Sequence, residues 1–175
     1  MKDYFVLKQD ERLTDAPELL DARKQVNSRD IHLTSAHKLA DTMFFKVKAE
    51  KESSFPDVMD RHLYLISERL KRLVELYAPD TIFKLTPLID MAHRRQHNYY
   101  LPIFEEVSAL SPNSELAGDG RVIRKLVLQG DQLTGKRIFK IKESEKPLIV
   151  VRLDVAESIL RRDFEGVQLV RVLVE

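Results

Sequence analysis

Apolar and polar residues alternate along much of the chain. An alternation of period two predicts strands, because successive strand side chains point to opposite faces. Tyr4–Lys8 is a short apolar run near the start. Met43–Lys51 alternates, with Phe45, Val47 and Ala49 on one face and Phe44, Lys46 and Lys48 on the other. Thr81–Met91 alternates as Phe83, Leu85, Pro87 and Ile89. Tyr99–Leu110 begins the same way with Tyr99, Leu101 and Ile103. Pro102 lacks the N–H a ladder needs, which confines that strand to an edge or a bulge. Val122–Leu128, Ile138–Lys142, Leu148–Val151 and Val167–Val174 complete the set. The last two are apolar on both faces, as expected of central strands covered on both sides.

A helical period appears in two places. Glu68–Tyr77 places Leu70, Leu73, Val74 and Tyr77 on one stripe. Ser67 suits the N-cap, since its hydroxyl accepts from an orphan backbone N–H, and Ala78-Pro79 stops the helix. Val155–Phe164 is the second helix, with Asp154 as its cap, Glu157 three residues on, and Arg161 and Arg162 in the last turn. A shorter helix is expected between Pro17 and Gln25.

These elements fall into similar frames. An apolar run at His62–Ile66 leads through Ser67 into a helix and then into Ile82–Leu88. Pro147–Val151 leads through Asp154 into a helix and then into Val167–Val174. The expected fold is α+β, or α/β: a single domain over residues 1–175, with a mixed β-sheet and short helices packed on it in strand–helix–strand units. All five glycines lie after residue 117, which marks the last third as rich in tight turns. The loop 111–120 (SPNSELAGDG) is where an internal boundary would fall. About 55 residues beyond it would make a marginal core alone.

Composition narrows the function classes. The 175 residues carry 29 Lys and Arg against 28 Asp and Glu, with both signs spread along the chain. That balance lacks the basic excess of a nucleic-acid binder. Cysteine is absent, which excludes disulfides, thiolate metal sites and a cysteine nucleophile. The apolar run before Lys8, Tyr4–Leu7, is only four residues long, short of the ~7–15 of a signal-peptide core. No run approaches the ~18 apolar residues of a membrane span. A cytoplasmic protein with no membrane partner is expected.

Several motifs have the spacing of a chemical site without its context. Gly130–Lys136 reads G-x-x-x-x-G-K, but Arg137 stands where a phosphate-binding loop has Ser or Thr, and a strand follows instead of a helix. A turn with Gly135 at positive φ is the expected structure. His93 and His97 are four apart, yet Arg94 and Arg95 lie between them and oppose a divalent cation. The polar segment 92–98 is expected as an exposed hairpin-type loop. Glu105 and Glu106 are neighbours in a strand and face opposite ways, so they form no acid–base pair. His32, His37 and His62 stand alone, and no G-x-S-x-G elbow is present. Tyr99 is expected in the core rather than as a base-stacking group. No catalytic, cofactor-binding or metal-ligating set emerges.

Two groups of segments nevertheless form a pattern. One runs through Phe55–Val58 (FPDV), Leu65–Leu73 (LISERLKRL), Phe83–Leu88 (FKLTPL) and Asn98–Phe104 (NYYLPIF). The other runs through Gly135–Ile141 (GKRIFKI), Ile149–Leu160 (IVVRLDVAESIL) and Phe164–Leu169 (FEGVQL). Over residues 55–175 this resembles a bacterial family of immunity proteins from polymorphic toxin systems. The family is named after a Myxococcus member and was formerly a domain of unknown function. Tyr4–Lys8 matches its short first strand. Its members carry Ser at the strand-to-helix junctions. This chain has Ser67 at the first and departs with Arg152 at the second.

The resemblance implies a non-enzymatic protein that binds a cognate toxin domain and neutralises it. From composition and motifs, no cofactor and no nucleic-acid partner are expected. Arg94 and Arg95 are the expected contacts to an acidic toxin surface. The alternatives are a small cytoplasmic enzyme with a site around His93, Arg94, Arg95 and His97, or a phage or secretion accessory module. The oligomeric state and the identity of the toxin are open.

Overall fold

The computed structural model describes residues 2–120 and 122–175. In chain order it begins with strands β1 (Tyr4–Gln9) and β2 (Glu18–Leu19), the one-turn helix α1 (Ala22–Gln25) and strand β3 (Phe45–Lys48). Strands β4 (Val58–Met59) and β5 (Leu65–Ser67) lead into helix α2 (Glu68–Tyr77). Strands β6 (Ile82–Asp90), β7 (Arg95–Ile103), β8 (Glu106–Val107), β9 (Glu115–Ala117), β10 (Val122–Lys125) and β11 (Val127–Leu128) follow. The chain ends with β12 (Ile138–Ile141), β13 (Ile149–Arg152), helix α3 (Leu153–Leu160) and β14 (Val167–Val174). The fold is mixed α+β. No helix among the described residues is long and apolar enough to cross a membrane.

The chain forms two compact units and passes between them four times, at 8/9, 104/105, 163/164 and 167/168. The loop 111–120 lies within the first unit.

The first unit takes residues 2–8, Glu105–Asp163 and Gln168–Glu175. Its sheet has the order β11-β14-β1-β13-β12-β8. β13 runs antiparallel to both β1 and β12, while β8 is parallel to β12. Ile149, Val150 and Val151 of β13 are all buried, as their two-sided apolar pattern predicts. β14 differs. It is flanked on both sides in the sheet, yet Val170 and Leu173 are exposed and Val172 is its one buried position. Val170 and Leu173 lie on opposite faces, so neither face of β14 is covered along its whole length. Val122–Leu128 is two strands, not one: β10 pairs with β9 in a separate ribbon, and β11 joins the sheet. α3 starts at Leu153 and ends at Leu160, so Asp154 is in its first turn and is not its cap. Arg152 occupies the cap position and draws the Asp154 carboxylate to itself, with Nε donating at 2.8 Å and Nη2 at 2.7 Å.

The second unit takes Gln9–Phe104 and Phe164–Val167, with the order β2-β3-β6-β7-β5-β4. Pro17–Gln25 is strand, bend and one helical turn instead of a helix, with Asp21 at φ 59° where the two meet. α2 keeps its expected bounds. The Ser67 hydroxyl accepts from the Leu70 N–H at 3.2 Å, and Leu70, Leu73 and Val74 are buried. β7 begins at Arg95, earlier than its apolar run, and lies inside the sheet rather than at an edge. Pro102 is tolerated there because β5 reaches only Tyr99 and Tyr100, which leaves β6 as the sole neighbour of Pro102 in the ladder.

The burial of β6 runs against its alternation. Lys84, Thr86, Leu88 and Asp90 are buried, whereas of the alternating apolar row only Pro87 is buried and Phe83, Leu85 and Ile89 are half-buried. The inward row lies beneath residues 19–43, whose Leu19, Val26, Leu39 and Met43 share one core with Phe45, Leu88, Tyr99 and Leu101. The Lys84 Nζ donates to the Leu39 carbonyl at 3.2 Å and to Asp41 Oδ1 at 3.1 Å. Its four-carbon stem fills core space, and its charge is partnered at the end.

Candidate functional site

β6 and β7 form a long hairpin of nine register pairs, from Ile82 opposite Ile103 to Asp90 opposite Arg95. Its turn is Met91–Arg94, so Arg95–Asn98 are strand rather than loop. The turn is held from below by one carboxylate. Asp90 is 1% exposed. Its Oδ2 accepts from the Arg95 Nε at 2.8 Å and lies 2.8 Å from the His93 Nδ1. An ionised carboxylate only accepts, so Nδ1 carries the proton. Oδ1 accepts from the His93 backbone N–H at 3.3 Å. Burial pushes the Asp90 carboxyl upward, but the hydrogen bonds from His93 and Arg95 outweigh it and hold it below the ordinary carboxylate value.

Arg95 is a strut. Besides Asp90, its Nη1 donates to the Lys51 carbonyl at 2.9 Å and its Nη2 to the Glu50 carbonyl at 2.5 Å. Its guanidinium lies 4.9 Å from the Phe55 ring centroid. Phe55 also stacks on His97, with centroids 3.7 Å apart and planes 16° from parallel. Burial lowers the His97 pKa, and the Arg95 charge lowers it further. The pair expected as contacts therefore divides. Arg95 spends its donors inside the protein, while Arg94 is exposed, at φ 51° in the turn. Met91 beside it is 67% exposed. His93 and His97 meet different partners and do not converge on one point.

Other sequence candidates fall into structural roles. Gly135 has φ 76°, as a turn requires, and Lys136 is ion-paired with Glu105. Gly130–Leu133 is a single 3-10 turn, and the next regular element is strand β12. The backbone N–H groups there do not open a helix, so the phosphate-loop spacing has no phosphate cradle. Among the described residues, no group of three or more His, Asp or Glu is placed to hold a metal ion.

Sequence reasoning missed a second polar node. Buried Asp57 accepts from the Ser67 hydroxyl at 2.5 Å and from the Glu165 N–H at 2.7 Å. The Tyr99 hydroxyl donates to the Pro56 carbonyl at 2.6 Å. Burial raises the Tyr99 pKa, and the charges of Asp57 and Glu165 raise it further. Gly166, at φ 64°, passes so close that a Cβ there would lie 2.4 Å from the Pro56 Cβ. Ser67 caps α2 and donates to Asp57, so its hydroxyl is committed to the fold.

In comparisons with known proteins, no family model matches the chain and no curated protein matches it. The site is read from its own geometry. A short turn displays an apolar and a cationic side chain, Met91 and Arg94. Its base is fixed by a buried carboxylate and by a guanidinium tied to two backbone carbonyls. Such an arrangement has low conformational freedom to lose on binding.

Proposed function

We propose that this chain is an immunity-type protein that binds a cognate bacterial toxin domain in the cytoplasm and neutralises it, without catalysis. The observation that carries the reading is the turn Met91–Arg94, exposed at its tip and locked at its base by Asp90. Recognition residues are commonly carried by loops on a rigid scaffold, and a pre-ordered loop binds at lower entropic cost. The resemblance over residues 55–175 points the same way. We also read the 175 residues as one functional domain built on strand–helix–strand units; the four passages of the chain between the compact units support this.

The test is co-expression with the toxin domain encoded beside this gene. Growth should be rescued, and the purified pair should co-elute as one complex. The Asp90–His93 pair favours a second reading, a small enzyme, because a carboxylate that orients an imidazole is a general-base arrangement. Absence of rescue and of co-elution, with turnover of a small substrate that His93→Ala abolishes, would establish that second reading instead.

A further inference from the structure

The outward face of the second unit's sheet can be traced by register. Lys46, Ile89 and Gln96 lie side by side across β3, β6 and β7. Lys48 lies beside Glu18 of β2. Thr42 bridges Leu85 with the same offset that pairs Phe45 with Leu88, so Phe44 falls beside Pro87, and Pro87 pairs with Asn98. All these residues share the face opposite the inward row Phe45, Leu88 and His97. At one end the face is partly covered: Lys71 of α2 lies 5.2 Å from the Phe83 ring centroid and 4.9 Å from that of Tyr100. The rest is open. Lys46, Lys48, Gln96 and Asn98 are exposed, and Phe44 is 57% exposed. Met91 and Arg94 continue this end of the sheet at the hairpin turn.

Lysines on the solvent face of a strand are ordinary in a sheet packed on one side only. They do not account for a phenylalanine left in water on this face and a methionine left in water at the hairpin turn that ends it. A single exposed apolar residue needs no explanation, but a group of them within a polar rim marks an interaction surface. The charges choose the partner. Lys46 and Lys48 lie on this face and Arg94 is exposed at its hairpin turn, against Glu18 in these rows.

We propose that the toxin domain docks on this face, with an acidic surface against Lys46, Lys48 and Arg94 and an apolar pocket for Phe44. This rests on the toxin-binding reading and adds the surface used and the partner's charge. Phe44 is the anchor, a large apolar side chain of the kind that dominates interface energetics. The two lysines are rim charges that steer association.

The experiment measures association and dissociation rates of the purified toxin domain, at low and moderate salt, with four proteins: wild type, Lys46→Glu/Lys48→Glu, Phe44→Ser and Lys142→Glu. Lys142 is an exposed cation of the first unit and serves as the control. Charge reversal should slow association about tenfold and flatten its salt dependence. Phe44→Ser should speed dissociation by about tenfold or more, and Lys142→Glu should match wild type. Denaturation midpoints equal to wild type show that the variants are folded. If wild type binds and the face variants behave like wild type, the surface is wrong. Faster association of the charge-reversed variant means a basic partner and also overturns the proposal. If wild type does not bind at all, the toxin-binding reading itself fails, and the surface assignment with it.

Discussion

Strand β13 buries Ile149, Val150 and Val151 with apolar neighbours on both faces. Strand β6, also inside its sheet, buries Lys84, Thr86, Leu88 and Asp90 and leaves its apolar row half-buried except at Pro87. Both strands are interior, but different forces hold them. β13 relies on contact area, which is tolerant of detail. β6 relies on specific partners for its two buried charged groups: the Leu39 carbonyl and Asp41 for Lys84, and His93 and Arg95 for Asp90. A buried polar group without a partner is costly, so each partnered one fixes the geometry around it. On β6 that geometry is the hairpin turn. The less economical core is the one that holds the candidate site.

The difference can be broken from either side. Val150→Asp places an unpartnered charge in β13 and should lower stability by about 3–5 kcal/mol, the range for an uncompensated buried charge. Chemical denaturation measures it. Lys84→Met removes a charge from β6 and should change stability by less than about 1.5 kcal/mol. The released Asp41 carboxylate is fully exposed and stays hydrated. A loss for Lys84→Met as large as that for Val150→Asp would mean that the two strands are held alike.

Thr86 sharpens the comparison further. It is 0% exposed, and its hydroxyl has no hydrogen-bond partner among the described residues. Thr86→Val keeps the shape and removes the unpaired group, so the unfolding midpoint should rise by a gain of about 1 kcal/mol. A loss would show that the hydroxyl is satisfied in solution. The smallest expected effect is that of pH through His97. Its folded pKa lies below the ordinary value, so the unfolded chain takes up its proton first as the pH falls. This contribution to stability is whole above about pH 6.5 and is lost as the pH falls through the lower folded value. His97→Gln should flatten the decline of stability between about pH 7 and 5. An unchanged slope would place His97 in water rather than against Phe55.

How much of this was legible in the sequence follows from where each partner lies. α2 could be read in full because its cap, its stripe and its stop are local: Ser67, Leu70, Leu73, Val74 and Ala78-Pro79. α3 could be placed but not its start, since Arg152 competes with the helix N–H groups for the Asp154 carboxylate. The inward face of β6 was hidden, because Lys84 is partnered from 45 and 43 positions away. The β14 pattern misled for a similar reason, as apolar residues on two faces do not say whether anything covers both. At the candidate site the segment from His93 to His97 stood out by composition. Asp90 did not, because a carboxylate at a strand end becomes a latch only when it is buried. The spacing of Asp90, His93 and Arg95, three and five apart across a polar turn, was the available signal.

The central claim is that the hairpin turn held by Asp90 is the recognition element. Its most direct test is the affinity of the purified toxin domain for wild type, for Arg94→Glu and for Leu173→Ser, an exposed apolar position on β14 of the first unit. Titration calorimetry should find Arg94→Glu weakened by at least about tenfold and Leu173→Ser unchanged. Equal affinity of Arg94→Glu and wild type, or a loss confined to Leu173→Ser, would contradict the account.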